Sequence, residues 1–317
     1  MQVVLSHTTA FWFWRFFADK VDALRPASLP AGPRNGAPLP DEILRELEAL
    51  GIFFSAKHPL HLLYAEQEQR PKRADIRPHV HVGVLPPEAI LRLTTHICIA
   101  SPELCFTQLA CTMTPERLAL AGSELSAAYA LAPGAGLPQR PPLTTPEKLA
   151  TFANLVVGMH GRKTAQRMAK YAVGGAESPM EAKVALLLSL PMKYGGYGLP
   201  KPTLNPVLEP GDDARKLYRV ESYRPDLFWA ETRVDVEYHG DPHEGEAART
   251  RDAARQAALE ADDITVTVLT FPQVADPAAF DVVARTLAKR LGCRLRVGVP
   301  GYEEHRARLR EELELLQ

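Results

Sequence analysis

The sequence predicts an α/β protein in which a small α+β domain precedes a mixed α/β domain. Short apolar runs typical of strands, HLLYA, HVHVGVL and HICIAS, alternate with amphipathic helical patterns in the first part of the chain. A proline- and glycine-rich segment at 131–143 then interrupts both patterns. The elements predicted after it follow the order helix, strand, strand, helix, strand, helix. We therefore expect an N-terminal domain at 1–140, a helical connector at 141–177 and a second domain at 178–317.

The N-terminal elements are indicated by their start and stop residues. The segment 26–40, PASLPAGPRNGAPLP, is typical of a loop. PDEILRELEALG follows as a helix with its apolar residues on one face, and Gly51 ends it. Pro102 begins a helix that runs to Cys111, and Thr114 begins another. These helices and the short apolar runs make up the predicted α+β domain.

The C-terminal elements are indicated in the same way. Thr145-Pro146-Glu147 begins a helix that runs towards His160, and Ser178-Pro179-Met180-Glu181 begins the helix EAKVALLLSLP. Two strand candidates follow, RVESYRPDLFW and TRVDVEYHG. A polar helix at about 245–261, the apolar strand ITVTVLTF and the helix AAFDVVARTLAKRLG complete this part.

Composition excludes few functions. The 317 residues include 46% hydrophobic and 24% charged residues, with 37 basic against 38 acidic side chains. Because the net charge is only -1, contact with nucleic acid would depend on local basic patches. The four cysteines form no CxxC pair, which favours free thiols. The chain contains neither an apolar run as long as a membrane span nor the features of a signal peptide, so we expect a cytoplasmic protein without a membrane partner.

The residues with the clearest chemistry are Asp226 and Glu237. Asp226 precedes the apolar run LFW, and Glu237 ends the alternating run RVDVE. A hairpin would bring the two carboxylates together, where they repel each other unless a cation lies between them. Mg²⁺ prefers oxygen ligands and can activate water for attack on a phosphate. The alternative is that acidic residues at alternating positions form the solvent-exposed face of a strand.

A family resemblance adds to this pattern. The segments SPMEAK, RPDLFW, VDVEYHG, PHEG, RDAARQAAL and VTVLTFPQV occur in the order found in the PD-(D/E)XK nuclease superfamily. They are most similar to the branch of endonuclease domains related to very-short-patch repair endonucleases. The resemblance covers residues 178–275, about a third of the chain. It implies a restriction-endonuclease-like mixed sheet flanked by helices, and Mg²⁺- or Mn²⁺-dependent hydrolysis of DNA in repair, mobile-element or phage-defence chemistry.

The resemblance also implies roles for individual residues. Asp226, Glu237 and the backbone carbonyl of Tyr238 would bind the metal. Glu181 would hold a water molecule, although it also fits a capping box with Ser178 at the start of its helix.

Two histidines belong to the same resemblance. His243 would contact a phosphate or the leaving group, or would only stabilise a turn. His239 occupies the position at which the general motif has lysine. A neutral imidazole lacks the fixed positive charge of lysine, although it can exchange a proton near neutral pH. A catalytically silent, DNA-binding regulator is therefore the alternative to an active nuclease.

Basic residues on two predicted helices are candidates for DNA contact. Arg251 and Arg255 lie one turn apart and would bind phosphates, or would form an exposed helix face with Asp252. Basic residues also recur at helical spacing in the connector, at Arg162, Lys163 and Arg167.

The N-terminal part resembles a second group of proteins. SHTTAFWFWR, HICIASPELCFTQLA and GSELSAAYAL are similar to segments of AbiEi-type antitoxin and transcriptional-regulator proteins. This resemblance implies a module that contacts DNA or a protein partner such as a toxin. For the aromatic residues of AFWFWRFF we expect packing in the core. His79 and His81 share a strand face, but a third ligand is not identifiable, so a metal site is not predicted there.

Overall fold

The computed structural model describes residues 1–17, 21–30, 39–131, 136–218, 221–239, 246–295 and 300–315. The side chains of residues 22 and 246–253 lie outside this description. The chain divides into two units, Met1–Lys170 and Tyr171–Gln317. The division therefore lies after Lys170, whereas the proline- and glycine-rich segment suggested a boundary near residue 140.

The first unit combines one sheet with helices. Its strands are β1 Val3–Leu5, β2 Arg25–Pro26, β3 Leu60–Tyr64, β4 Ile76–Val80, β5 Ile90–Arg92 and β6 Ile97–Ala100. Its α-helices are α1 His7–Phe16, α2 Asp41–Ala49, α3 Pro102–Leu109, α4 Pro115–Leu125, α5 Pro146–Leu155 and α6 Arg162–Ala169. Helices α5 and α6 lie in the segment predicted as a connector, but they pack against α3 and α4. This packing is the physical reason why the first unit extends to Lys170.

The sheet of the first unit is mixed. In the described part of the chain its strand order is β2-β5-β6-β1-β3-β4. Strand β1 is parallel to β6 and antiparallel to β3, and β3 is parallel to β4. The buried side of the sheet contributes Leu5, Leu62 and Ile99, which are completely shielded from solvent. The expected α+β arrangement of strands and helices is thus present in this unit.

Several helices begin at a Ser/Thr-Pro sequence, as predicted. The side-chain oxygen of the first residue accepts a hydrogen bond from a backbone N–H in the first turn, and proline occupies a position whose N–H needs no partner. These capping residues are Ser101 before α3, Thr114 before α4 and Thr145 before α5. Ser178 has the same role in the second unit. The predicted starts of these helices are confirmed.

Helix α1 differs from its prediction. Phe11 and Trp14 are buried, and the Trp14 indole N–H donates a hydrogen bond of 2.9 Å to the Ala100 carbonyl. Trp12 and Phe16, however, are 50% and 43% exposed. The expectation that the whole aromatic run packs in the core is wrong, because the side chains of a helix point in all directions and only one side of α1 faces the sheet and α3.

The second unit also combines strands with helices. Its strands are β7 Thr203–Leu204, β8 Leu227–Trp229, β9 Val234–His239 and β10 Thr265–Thr270. Its α-helices are α7 Pro179–Ser189, α8 Asp212–Leu217, α9 Glu246–Ala261, α10 Phe271–Ala275, α11 Pro277–Arg290 and α12 Tyr302–Glu312. The predicted order of helix, strand, strand, helix, strand, helix is present, with the additional elements β7, α8, α10 and α12.

The sheet of the second unit has the order β10-β9-β8-β7 among the described strands. Strand β8 is antiparallel to both β7 and β9, whereas β10 is parallel to β9. A parallel neighbour requires a crossover connection, and α9 lies in that connection. Helix α9 contributes Ala258 and Leu259 to a core cluster with Phe228 of β8. The second unit is therefore a mixed α/β structure in which helices flank a mixed sheet.

The state of the cysteines agrees with the expectation of free thiols. All four cysteines, Cys98, Cys105, Cys111 and Cys293, are free. Within the described residues, no helix combines the length and the apolar character needed to cross a membrane.

The cap of α4 yields a stability prediction. The Thr114 hydroxyl accepts a hydrogen bond of 3.2 Å from the Arg117 N–H. Thr114→Ala leaves this N–H without its partner, so we expect the free energy of unfolding to fall by about 1 kcal/mol. Urea denaturation followed by circular dichroism measures the change. Thr114→Ser keeps the hydroxyl and should lie close to the wild type; equal losses for both variants would contradict the role of the cap.

Candidate functional site

Strands β8 and β9 place Asp226 and Glu237 side by side. Leu227 pairs with Val236 in the antiparallel register, so the next pair along the hairpin is Asp226 and Glu237. The antiparallel register of β7 and β8 continues to Asn205, which lies opposite Asp226 and donates its N–H to the Asp226 carbonyl over 3.2 Å. Directly opposed residues lie on the same face of a sheet and within contact distance. The two acidic residues named from the sequence are thus brought together.

Asp226 has a strongly perturbed acidity. Burial raises the pKa of its carboxyl group to about 7, and the nearby charges of Glu237 and Glu181 act in the same direction. The Tyr238 N–H donates a hydrogen bond of 2.8 Å to Asp226 Oδ2 and partly offsets these effects. The backbone of Tyr238 therefore does touch the predicted site, through its N–H.

Glu237 is paired with an arginine of α9. Arg255 Nη2 lies 2.6 Å from Glu237 Oε1, and the Glu237 side chain is only 8% exposed. The guanidinium also lies close enough to Asp226 and Asp235 for their charges to raise its pKa. Arg255, predicted as a phosphate ligand, is thus part of the acidic cluster itself rather than of an exposed basic helix face.

Asp235 is a site residue that the sequence analysis did not single out. Its side chain is fully buried. Neither of its carboxylate oxygens accepts a hydrogen bond from an N–H or O–H group of the described residues. Burial raises the pKa of Asp235 well above its usual range, and contact with the Glu237 carboxyl adds to the shift. The alternation in RVDVE could have identified Asp235 from the sequence, because Asp235 and Glu237 are two residues apart and therefore share a strand face. The alternative of a solvent-exposed strand face is wrong, since β9 is buried from Val234 to Glu237.

Glu181 lies in the first turn of α7 and adjoins the site, but its side chain does not complete the capping box predicted with Ser178. Its N–H donates to the Ser178 hydroxyl over 3.3 Å, and its Oε2 accepts from the Glu177 N–H over 2.9 Å. The same oxygen accepts a 2.5 Å hydrogen bond from the Asn205 side-chain amide. Since the backbone of Asn205 also bonds to Asp226, Asn205 connects Glu181 to the hairpin. Asn205 was not identified from the sequence, and its positive φ of 48° is a conformation that asparagine tolerates better than most residues.

The remaining predicted residues are distributed over both units. His239 ends β9, is exposed, and lines a small cavity of about 100 Å³ together with Glu237 and Arg255. His243 lies outside the described residues, and of Arg251 only the backbone, within α9, is described.

The basic residues of the predicted connector belong to the first unit. They lie on α6, where Lys163 and Arg167 are exposed and Arg162 is half-buried. The structure therefore places these DNA-contact candidates on a different unit from the acidic cluster.

The acidic cluster contains oxygen atoms of the kind that bind a hard divalent cation. Carboxylate and carbonyl oxygens are the ligands that Mg²⁺ and Mn²⁺ prefer. In the arrangement described, the Arg255 guanidinium supplies positive charge at Glu237, and the described residues contain no group of three His, Cys, Asp or Glu side chains already placed to hold a metal ion. The unpartnered oxygens of Asp235 indicate that this cluster can accommodate further positive charge.

The raised pKa of Asp226 predicts a pH dependence of stability in chelator-treated protein. Its folded pKa of about 7 exceeds the ordinary value of 3.8, so folding favours the protonated carboxyl. This contribution is complete below the ordinary value and is lost as the pH rises through about 7. Relative to the wild type, Asp226→Asn should therefore gain stability progressively as the pH rises from about 4 to about 7, by roughly 2 to 4 kcal/mol.

Urea denaturation across that pH range measures this difference. The exposed Asp212→Asn provides the control, and its difference from the wild type should stay small. A constant difference between Asp226→Asn and the wild type at every pH would contradict the assigned shift.

Comparison of the chain with known protein families, with curated proteins and with solved structures found no match. The residues of the acidic cluster and the sequence motifs that contain them are therefore the indications of function.

Proposed function

We propose that this protein is a metal-dependent DNA endonuclease that hydrolyses phosphodiester bonds. The observation that carries the proposal is the position of Asp226 opposite Glu237 on a largely buried hairpin, with Glu181 nearby. The half-buried carboxyl of Asp226 and the buried one of Glu237 repel each other when both are charged, and such a pair is expected where a cation is bound. The order of α7, the antiparallel hairpin, α9 and the parallel strand β10 also agrees with a restriction-endonuclease-like fold.

Asp226, Glu237 and the carbonyl of Tyr238 would hold Mg²⁺ or Mn²⁺. A cation bound there would stabilise negative charge on the scissile phosphate and make water a better nucleophile. Glu181 would orient the attacking water, because its carboxylate is held by Asn205 and by the Glu177 N–H. His239, exposed at the end of β9, would exchange a proton with the substrate or with water.

Arg255 would have two partners in this scheme. In the arrangement described it neutralises Glu237, with which it forms a close ion pair. A divalent cation at the same carboxylate would weaken that ion pair, because the cation supplies the positive charge instead. The guanidinium would then be able to bind a phosphate oxygen of DNA, for which its planar geometry is well suited.

The Arg255–Glu237 ion pair also supports a second function. A guanidinium that neutralises the cluster permanently would leave a nuclease fold without metal and without activity. Together with His239 at the lysine position, this favours a DNA-binding regulator related to antitoxins. In that function the first unit would contact DNA or a toxin, with the exposed Lys163 and Arg167 of α6 as candidates for phosphate contact.

Cleavage assays distinguish the two functions. We expect the purified protein to nick plasmid DNA and to cleave oligonucleotides when Mg²⁺ or Mn²⁺ is titrated in, and to stop when a chelator is added. Asp226→Ala and Glu237→Ala should each lower the rate by at least about 100-fold, because each removes a metal ligand. Asp212→Ala, an exposed change in the same unit, is the control.

The outcomes of these assays separate the candidates. Cleavage that survives both changes would show that the activity does not belong to this site. DNA binding without cleavage in any metal would favour the regulator.

His239 provides a second test of the active site. If His239 performs the role of the motif lysine, His239→Lys should raise the cleavage rate several-fold, because the lysine supplies a fixed positive charge beside the attacked phosphate. Rates measured as a function of pH for the wild type and the variant give the comparison. An unchanged pH–rate profile would remove His239 from the reaction. His305→Lys, on α12, controls for an added charge elsewhere on the unit.

A further inference from the structure

Helix α1 and the segment 50–61, which follows α2 and enters β3, line an aromatic cavity in the first unit. Its volume is about 860 Å³, within the range of roughly 300–1,000 Å³ that is typical of ligand sites. The exposed fraction of Phe53 is 77%, and Trp12 and Phe16 are exposed as well. Exposed apolar side chains that are gathered at one place indicate a binding site. The aromatic residues that line the cavity are Trp12, Phe13, Phe16, Phe17, Phe53 and Phe54.

The two exposed rings of α1 are held in a fixed arrangement. The Arg15 guanidinium lies 4.8 Å from the centroid of the Trp12 ring, and Arg15 Nη2 forms an ion pair of 3.1 Å with Glu124. The rings of Trp12 and Phe16 lie 6.0 Å apart and are inclined by 13°. Because these nearly parallel rings are already positioned, a flat ligand can stack on them with little loss of side-chain freedom.

The charge of the cavity restricts the ligand further. Lys57 and His58 are exposed among its lining residues, and none of the described residues that line it is acidic. A matching ligand therefore combines flat rings with negative charge. An aliphatic chain would gain nothing from the parallel rings, and a neutral aromatic molecule would not use Lys57. Nucleotides have both properties, since their bases stack on aromatic side chains and their phosphates bind cations.

We propose that this cavity binds unpaired bases of single-stranded DNA, with Trp12 and Phe16 as the stacking surface and Lys57 as a phosphate contact. The bases of a duplex are stacked on each other, so their faces become available only in a single strand or after extrusion from the helix. The choice of DNA over RNA rests on the proposed endonuclease. The site itself belongs to the first unit and does not involve the acidic cluster.

The test measures binding in the presence of a chelator, so that cleavage cannot affect the result. Full-length protein is added to a fluorescently labelled oligothymidylate of about 12 nucleotides, a length within the site sizes of single-strand-binding domains, and anisotropy is followed. A DNA duplex, oligouridylate and thymidine monophosphate serve as competitors. We expect the oligothymidylate to bind more tightly than any of the three.

Tryptophan fluorescence gives a separate readout of stacking. Of the three tryptophans, Trp14 and Trp229 are buried, whereas Trp12 is 50% exposed. A base that stacks on Trp12 should therefore quench part of the fluorescence of the wild type. Trp12→Phe keeps a ring and should bind with an affinity within a few-fold of the wild type, but without this quenching. Trp12→Ala should bind roughly 5- to 100-fold more weakly, because a stacking partner is lost.

Salt dependence tests the phosphate contact. Loss of one contact with a single strand lowers the slope of log affinity against log salt concentration by about 0.7. We expect this change for Lys57→Ala. Lys72→Ala is the matched control, because Lys72 is an exposed lysine of the same unit that does not line the cavity. The control should keep the slope of the wild type.

The outcomes separate this proposal from the proposed function. Quenching that persists in Trp12→Phe, or equal affinities of the wild type and Trp12→Ala, would overturn the stacking site. Preference for the duplex or for oligouridylate, or equally tight binding of the mononucleotide, would overturn single-stranded DNA as the ligand. Metal-dependent cleavage without this binding would overturn the cavity proposal and leave the endonuclease intact. Binding through Trp12 without cleavage in any metal would support the cavity proposal and contradict the endonuclease.

Discussion

Electrostatic repulsion among buried carboxyl groups is the constraint on which the second unit depends. Asp226, Asp235 and Glu237 lie on one hairpin, and separation from water makes the ionisation of Asp226 and Asp235 costly. Arg255 offsets part of this cost through its ion pair with Glu237. The arginine can do so because α9 crosses from β9 to the parallel strand β10 and covers the face of the sheet that carries the acids. The crossover connection and the acidic cluster are therefore parts of one arrangement.

The same constraint connects the two proposed functions. An acidic cluster of this kind can be neutralised by protons, by a guanidinium or by a divalent cation, and each choice has a different consequence. Neutralisation by Arg255 alone gives a stable but inert site, as a regulator would need. Neutralisation by Mg²⁺ or Mn²⁺ gives a site that can polarise a phosphate and would free the arginine for the substrate. The balance between guanidinium and cation at Glu237 thus separates an active nuclease from a silent one.

The sequence predicted those features that depend on neighbouring residues. The Ser/Thr-Pro pairs specified the starts of α3, α4, α5 and α7, because an N-cap and its proline act within a single helical turn. The alternation around RVDVE and the apolar run after Asp226 indicated two neighbouring strands, since strand patterns have a period of two residues. Local patterns predicted the structure less accurately where tertiary packing determines it. The prolines and glycines near residue 140 marked a loop but not the unit boundary, and Trp12 and Phe16 of α1 are exposed.

Sequence alone thus determined the α/β organisation, the positions of most helices and the pairing of Asp226 with Glu237 through a short hairpin. Tertiary structure decided which charges share the site. Asp235 became part of the site because α9 covers β9. Arg255 joined the site because α9 places its side chain next to Glu237. Asn205 joined it because β7 forms the edge of the sheet. Arg255 and Asn205 belong to other elements than the hairpin, and the packing of those elements depends on the whole unit. Burial and ion pairing arise from such long-range contacts, and a local sequence pattern does not specify them.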